Sequence, residues 1–437
     1  MTDAAVAEVL HRESFVIEGG RPLSGTVQAA GNKNAALPIL AAALLTAEPV
    51  TLRNVPRIRD VETMVELIAH VGAEAKWTGP NEVRIEAGEI TNTDLDPELC
   101  RQIRASFLLA GPLLARVGKV NIPPPGGDVI GRRRLDTHVK AFADLGIGTV
   151  GVRDYEMRAE RIRGKKLFLD EPSVMGTENV VMATVLAEGE TVIGNAAGEP
   201  HIQDLCRFLV SLGAEIEGIG SNLLRIRGVP SLKGGEHRIS PDYIEIASFI
   251  GLGAVTRGEL TIEGCSDDDL RPIMPHLERL GVRVQASDCT VLVPDGQELV
   301  IQDDLGGAIP KIEDGPWPQF PADLTSIAVV IATQARGTVL IFEKMFESRL
   351  FFVDKLVGMG ARIILCDPHR AVVTGPALLV GDRMESPDIR AGMAMLIASL
   401  CAEGVSTIGN IGQIDRGYER IDERLRSLGA SIERVSS

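Results

Sequence analysis

One pattern recurs six times along the 437 residues: a helix-like apolar run ends in a glycine, and an alternating strand follows at once. The copies read LIAHVGAEAKW (Gly72), FADLGIGTVGV (Gly146), FLVSLGAEIEG (Gly213), LERLGVRVQAS (Gly281), LVGMGARIILC (Gly360) and LRSLGASIERV (Gly429), 67 to 79 residues apart. A glycine there is the expected residue just past a helix, where a positive φ is cheap only without a Cβ. A second motif interleaves with the first. An Ala/Leu-rich helix turns into an alternating strand in LLTAEPVTLRN, LLARVGKVNIP, LAEGETVIGNA, AVTRGELTIEG, ATQARGTVLIF and LCAEGVSTIGN. The turn glycines are Gly118, Gly189, Gly258, Gly337 and Gly404, and the first copy has Glu48-Pro49 instead. Two motifs repeating in register define a repeat architecture. Each unit of about 70 residues is predicted as helix, strand, helix, strand and short extra strands. The Ala/Leu-rich helices, such as Ala35–Leu45 and Ile327–Ala332, are apolar on most faces and so are expected inside, with sheets around them.

Six units divide into two groups of three. The first strand, Ser14–Gly20, precedes the first full unit and is able to complete the last one. The chain is predicted to cross between the groups near Gly31–Lys33 and Ser240–Asp242. No long Pro/Gly/Ser linker marks either crossing, which suggests two short connections and a hinge.

Composition excludes several classes of function. A net charge of −15 disfavours a general nucleic-acid or anionic-membrane surface. No apolar run is long enough to span a bilayer, and the opening MTDAAVAEVLHRES lacks the apolar stretch of a signal peptide, reading instead as a short extension with a turn or two of helix. The six cysteines form no C-x-x-C pair and the seven histidines have no metal spacing, so reduced thiols in a cytoplasmic protein with no metal and no cofactor are expected. In so acidic a chain, a local cluster of cations is informative.

Such clusters exist. AAGNKNAALPILAAALL places Lys33 and Asn34 at a predicted helix start, with Pro38 near the first turn. Helix N-termini attract anions, so the lysine is either an anion ligand or a solvated residue beside an Asn cap. NIPPPGGDVIGRRRLDTH breaks regular structure and sets Asp128 before Arg132, Arg133 and Arg134. Guanidinium forks match phosphate oxygens, and Asp128 is a candidate general acid or base; a surface loop of solvated charges is the other reading. Arg390 stands at a helix start in SPDIRAGMAML, and Arg416 lies in IGQIDRGYERI. In DGPWPQFPADLTS, Asp323 occupies an expected N-cap position and serves either as a cap or as a base.

GNKNAALPIL, RASFLLAGPLLAR, PPGGDVIGRRRLD, NAAGEP, FPADL, DIRAG and IDRGYERIDERLRSLGA together resemble the UDP-N-acetylglucosamine 1-carboxyvinyltransferases of the enolpyruvyl transferase family, from about Phe15 to the end. The resemblance implies a two-lobed inside-out α/β barrel of six βαβαββ repeats, three per lobe, with buried helices. The first lobe is expected at residues 33–240, with a mobile loop near 124–134, and the second at 1–32 plus 241–437. It implies transfer of the enolpyruvyl group of phosphoenolpyruvate to the 3-hydroxyl of UDP-N-acetylglucosamine, with release of phosphate, in the first committed step of peptidoglycan synthesis. The substrates are small molecules, without nucleic acid or membrane.

The implied roles fall on matching positions. Lys33 and Asn34 contact phosphoenolpyruvate and the sugar. Arg104, Arg133, Arg390 and Arg416 gather around phosphate and carboxylate. Asp323 takes the proton of the attacking hydroxyl, and Asp128 is the general acid on the loop. Arg133, Arg134, Leu135, Asp136 and Thr137, with Glu171, Ser173 and Val174, match the nucleotide-binding segments. Met345 is an aliphatic substrate contact, and Arg349 joins the substrate-binding set.

The chain also departs from the family pattern. Asp128 stands where most members have the cysteine that fosfomycin alkylates, which implies resistance. Glu171 replaces a usual lysine, Arg134 a usual proline and Met175 a usual glycine. Two readings of this exchange stand side by side: Arg134 takes over the lost charge and Glu171 points at an arginine, or Glu171 faces solvent and Arg134 only decorates the loop. Two alternatives remain: a paralogue using another nucleotide sugar, and a non-catalytic nucleotide-sugar-binding paralogue. The sister transferase acting on shikimate 3-phosphate is disfavoured by RASFLLAGPLL, where a GNAGT-type segment is usual.

Overall fold

The computed structural model describes residues 13–128, 130–131, 134–151 and 154–436. The helical turn expected near the N-terminus lies outside them, as do Arg132 and Arg133. The chain forms two compact units: residues 30–128 with 133–240, and residues 1–29 with 129–132 and 241–437.

Six core helices, labelled here in chain order, carry the apolar segments. In the unit containing residues 30–128 these are α1 (Lys33–Ala42), α2 (Ala110–Val117) and α3 (Val174–Thr184). In the other they are α4 (Tyr243–Thr256), α5 (Thr325–Gln334) and α6 (Ile389–Cys401). All of α4 is buried, as is α5 from Thr325 to Thr333. Each fully buried Leu, Ile or Phe contributes about 1.5–3 kcal/mol. Helices surrounded by protein must satisfy their own polar groups. Accordingly, the hydroxyls of Thr184, Ser248 and Thr256 donate to carbonyls one turn back, at 2.7–2.8 Å.

Three sheets accompany each trio of helices. Around α1–α3 they are built on the strands Val50–Arg53, Lys119–Ile122 and Glu190–Gly194, and around α4–α6 on Leu260–Glu263, Gly337–Phe342 and Val405–Gly409. Among the described residues, five of the sheets have four strands and one has three. The three-stranded sheet gains a parallel bridge between Asp94 and Asn121. Each four-stranded sheet mixes one parallel pair with antiparallel neighbours. In the last sheet, Glu13–Glu18 lies between Val405–Gly409 and Ser431–Ser436, with Phe15 opposite Ile408 on one side and Arg434 on the other.

All six repeat glycines have positive φ, from 84° to 105°. The second motif behaves differently at one position. There Arg257 takes the left-handed conformation with φ 58°, and Gly258 is needed for space, since a Cβ on it would meet the Leu23 carbonyl oxygen at 1.8 Å.

Candidate functional site

The expected site residues fall into three groups, two in the unit containing residues 30–128. In the first group, Asn32 caps α1, its side-chain oxygen accepting from the Ala35 N–H at 3.1 Å. Lys33 is the first helical residue and is buried, not solvated, and its ammonium meets Asp60 at 2.8 Å. Because the helix begins at Lys33, Pro38 sits inside it and not in its first turn. The missing N–H therefore removes the donor that Asn34's carbonyl would receive within the helix. Arg104 opens a short 3-10 stretch, Arg104–Leu109, and is half-buried, as is Asp128. The loop before Asp128 is docked here: the Gly126 N–H donates to the Cys100 carbonyl at 2.9 Å, and a Cβ on Gly127 would approach the Cβ of Arg104 to 2.9 Å. Two glycines thus let the loop backbone pass against Cys100–Arg104 and carry Asp128 beside it.

The second group is the expected nucleotide segment. Arg134 donates to Asp136 at 2.8 Å and to Asp170 at 3.4 Å. Thr137 donates to Asp170 at 2.7 Å and to Glu171 at 3.2 Å, and Lys140 pairs with Asp170 at 2.6 Å. Hydrogen bonds from Lys140 and Thr137 pull Asp170 down to about 2. Glu171 thus accepts a hydrogen bond from a threonine, and its charge also acts on Arg134, which is bonded to two other carboxylates. The reason is local: Thr137, on the first turn of the helix Asp136–Asp144, is close enough to donate to Glu171. Leu135 is buried just before that helix. Ser173 caps α3 through the Gly176 N–H at 3.2 Å, with Val174 as its first residue and Met175 packed on the core. Arg133 lies outside the described residues.

The third group belongs to the other unit. Asp323 is not a cap: it lies in the 3-10 turn Ala322–Leu324, and that turn has no side-chain cap. Its carboxylate goes to two arginines instead. Arg349 donates to Oδ1 at 3.0 Å, and Arg390 reaches Oδ2 at 2.9 and 3.1 Å through Nη2 and Nε. Both arginines are almost fully buried, whereas the Asp323 side chain keeps 27% of its exposure. A carboxylate held at both oxygens by guanidiniums and still partly exposed is fixed in place and able to accept a proton. Arg390 is the second residue of α6, whose cap is Asp388, and its Nη1 donates to the Tyr418 hydroxyl at 3.1 Å. Arg416 ends the 3-10 stretch Ile411–Arg416 and donates to Gln413 at 2.8 Å. Met345 is exposed, on the turn that leads to Arg349.

Several residues in these groups carry no sequence signal of their role. Asp60 and Tyr418 reach Lys33 and Arg390 only through the fold. His138, at the end of the RRRLDTH run, is buried and pushed down to about 3 by burial and by the charge of Arg104, so it is a neutral imidazole, its Nδ1 3.1 Å from the Asn179 amide. Among the described residues no group of three or more His, Cys, Asp or Glu side chains is arranged to hold a metal ion.

A family model described as EPSP synthase (3-phosphoshikimate 1-carboxyvinyltransferase) matches residues 17–425. The chain belongs to this carboxyvinyltransferase family. Relatives within the family refine the picture. The UDP-N-acetylglucosamine 1-carboxyvinyltransferase of Bradyrhizobium diazoefficiens is 60% identical over 421 residues, covering 96% of this chain and 98% of its own. The protein of the same name from Treponema denticola is 54% identical over 419 residues, covering 96% and 98%. Among solved structures, the enolpyruvyl transferase NikO of Streptomyces tendae aligns with a TM-score of 0.87 at 24% identity, over 98% of this chain and 100% of that one. An EPSP synthase of Acinetobacter baumannii aligns with a TM-score of 0.76 at 16% identity, over 97% and 100%. At such identities the two structures establish the fold, a mixed α/β enolpyruvyl transferase fold. Within this carboxyvinyltransferase, the Asp323–Arg349–Arg390 group is the most completely built of the three.

Proposed function

We propose that this carboxyvinyltransferase moves the enolpyruvyl group of phosphoenolpyruvate to the 3-hydroxyl of UDP-N-acetylglucosamine, releasing phosphate. The observation that carries the reading is Asp323, held by Arg349 and Arg390, in a chain 60% identical to a transferase of that name. Asp323 takes the hydroxyl proton as the oxygen attacks the carbon bearing the phosphate. Asp128 protonates the methylene carbon in the addition; in the elimination the resulting methyl gives one proton back as the C–O bond to phosphate breaks, which restores the double bond. Lys33, Arg104, Arg390 and Arg416 hold phosphate and carboxylate through addition and elimination, and fixed cations of this kind lower the cost of the charge that develops. The nucleotide is assigned to Arg134–Thr137 with Glu171–Val174, and Met345 to the sugar side. We assign each lobe the inside-out barrel arrangement, which the buried core helices and their surrounding sheets support. No described helix is long and apolar enough to cross a membrane. The reading places the reaction in the cytoplasm, where both substrates are soluble.

The test is phosphate release with a panel of acceptors, together with detection of the enolpyruvyl ether. Turnover of UDP-N-acetylglucosamine is the expected result. One observation favours a second reading, that the acceptor is another nucleotide sugar: around Arg134 and Lys140 stand three carboxylates, Asp136, Asp170 and Glu171. Turnover confined to a different nucleotide sugar would select it.

A further prediction concerns Asp128. A carboxylate is a much poorer nucleophile toward an epoxide than a thiolate, so fosfomycin should leave the protein active. Asp128→Cys should create time-dependent inactivation with a matching covalent mass increase. Wild-type protein labelled at Asp128 would overturn this.

A further inference from the structure

Behind Arg349, away from Asp323, lies a carboxyl group that the reaction does not use. Glu343 is fully buried, and its Oε2 stands 3.8 Å from Arg349 Nε, an ion-pair distance too long for a hydrogen bond. Its Oε1 accepts from the Phe346 N–H at 3.2 Å. Asp314, also buried, accepts from the Lys344 N–H and, at 3.3 Å, from the Met345 N–H. Two acids therefore take three consecutive backbone N–H groups, those of residues 344, 345 and 346. This turn joins the strand Gly337–Phe342 to the short helix Arg349–Phe352 and carries Met345.

We propose that Glu343 and Asp314 are positioning residues: together they set the Lys344–Phe346 turn that presents Arg349 to Asp323, with Glu343 acting as a neutral acid. The inference rests on the function proposed above for Asp323. The groups facing the Glu343 carboxyl are Arg349 after the turn, Asp314 from the segment after Lys311–Glu313, and Thr325 at the start of α5. Asp323 lies beyond Arg349, His369 Nδ1 bonds to the Glu343 carbonyl at 2.7 Å, and the Lys344 ammonium is turned to Glu313 at 3.7 Å. Burial raises Glu343 to about 8, against the pull of Arg349, and the charge of Asp314 adds to the rise. Once ionised, Glu343 competes with Asp323 for one guanidinium. The raised value means that the folded protein binds this proton more tightly than the unfolded chain. The stability it contributes is full below the ordinary value of 4.5 and is lost as pH rises through about 8.

The experiment measures kcat and melting temperature against pH for wild type, Glu343→Gln and Asp314→Asn. The Gln variant mimics the neutral acid. It should keep kcat within about three-fold of wild type at pH 7, lose the fall in kcat that wild type shows near pH 8, and lose the decline in melting temperature that wild type shows from about pH 4.5 to about 8. Asp314→Asn removes a charge that opposes ionisation, so the fall should move to lower pH. An alkaline midpoint in turnover and a melting decline from about pH 4.5 to about 8, both shared by wild type and Glu343→Gln, would overturn the proposal. So would a folded Gln variant as inactive as one lacking Asp323. If wild type turns over none of the acceptors, the function reading fails by itself, and the melting profiles still decide the role of Glu343.

Discussion

Asp323→Asn should lower kcat about 1,000-fold, the usual scale for removing a well-placed general base. The amide cannot take the hydroxyl proton, and it turns an N–H₂ toward one of two guanidiniums that now face each other uncompensated. The binding constants for both substrates should change far less than kcat, because Lys33, Arg104 and Arg416 are untouched. A variant keeping more than about a tenth of wild-type turnover would move the base to another residue. Stability should fall as well, and a melting curve separates this from the chemical loss. The charge imbalance left on Arg349 and Arg390 is a named source of large destabilisation.

The second large effect is expected at Arg390. Its side chain is 6% exposed and joins Asp323 to the Tyr418 hydroxyl, below the first turn of α6. Arg390→Leu removes two hydrogen bonds to a carboxylate and one to a buried phenol. The expected cost is about 3–5 kcal/mol of stability, the range for breaking a buried pair from one side. Turnover should fall at least about 100-fold if, as proposed, the cation also holds the substrate's negative charge. Tyr418→Phe is the control. It removes one hydrogen bond, should cost about 1 kcal/mol and should leave turnover near wild type. An Arg390→Leu protein that melts like wild type would show that Asp323 is held by Arg349 alone.

The parts of this molecule that were legible in its sequence are those that repeat. Gly72, Gly146, Gly213, Gly281, Gly360 and Gly429 each mark a helix end, because a positive φ restricts residue type strongly at one position. The all-round burial of α1, α4 and α5 was legible because an apolar helix has few alternatives to the interior. Pairings between side chains were not legible. Nothing at Asp60 indicates that it will meet Lys33, and nothing at Glu343 indicates that it will lie behind Arg349, since such contacts arise only when distant elements pack. Local rules also misled. Asp323 before a helix suggested a cap, yet two guanidiniums outbid the backbone N–H groups. Glu171 was expected at an arginine, and Arg134 does feel its charge, but its hydrogen bond goes to a threonine hydroxyl on a neighbouring first turn.

The last sheet has a consequence for how the chain is made. Its interior strand, Glu13–Glu18, is made well before its partners Val405–Gly409 and Ser431–Ser436, with the whole of residues 30–240 in between. Residues 30–128 and 133–240 form their compact unit from sequence that is available early. The other unit cannot complete its final sheet around that strand until residues 405–436 have been made, so Phe15 and Ile17, both fully buried in the folded protein, wait through about 400 residues of synthesis for their partners. Domains that fold during synthesis generally do so in order from the N-terminus. Here that order is broken by two strands, Glu13–Glu18 and Gly25–Gln28, whose partners are all made after residue 240, and of the two Glu13–Glu18 waits longer.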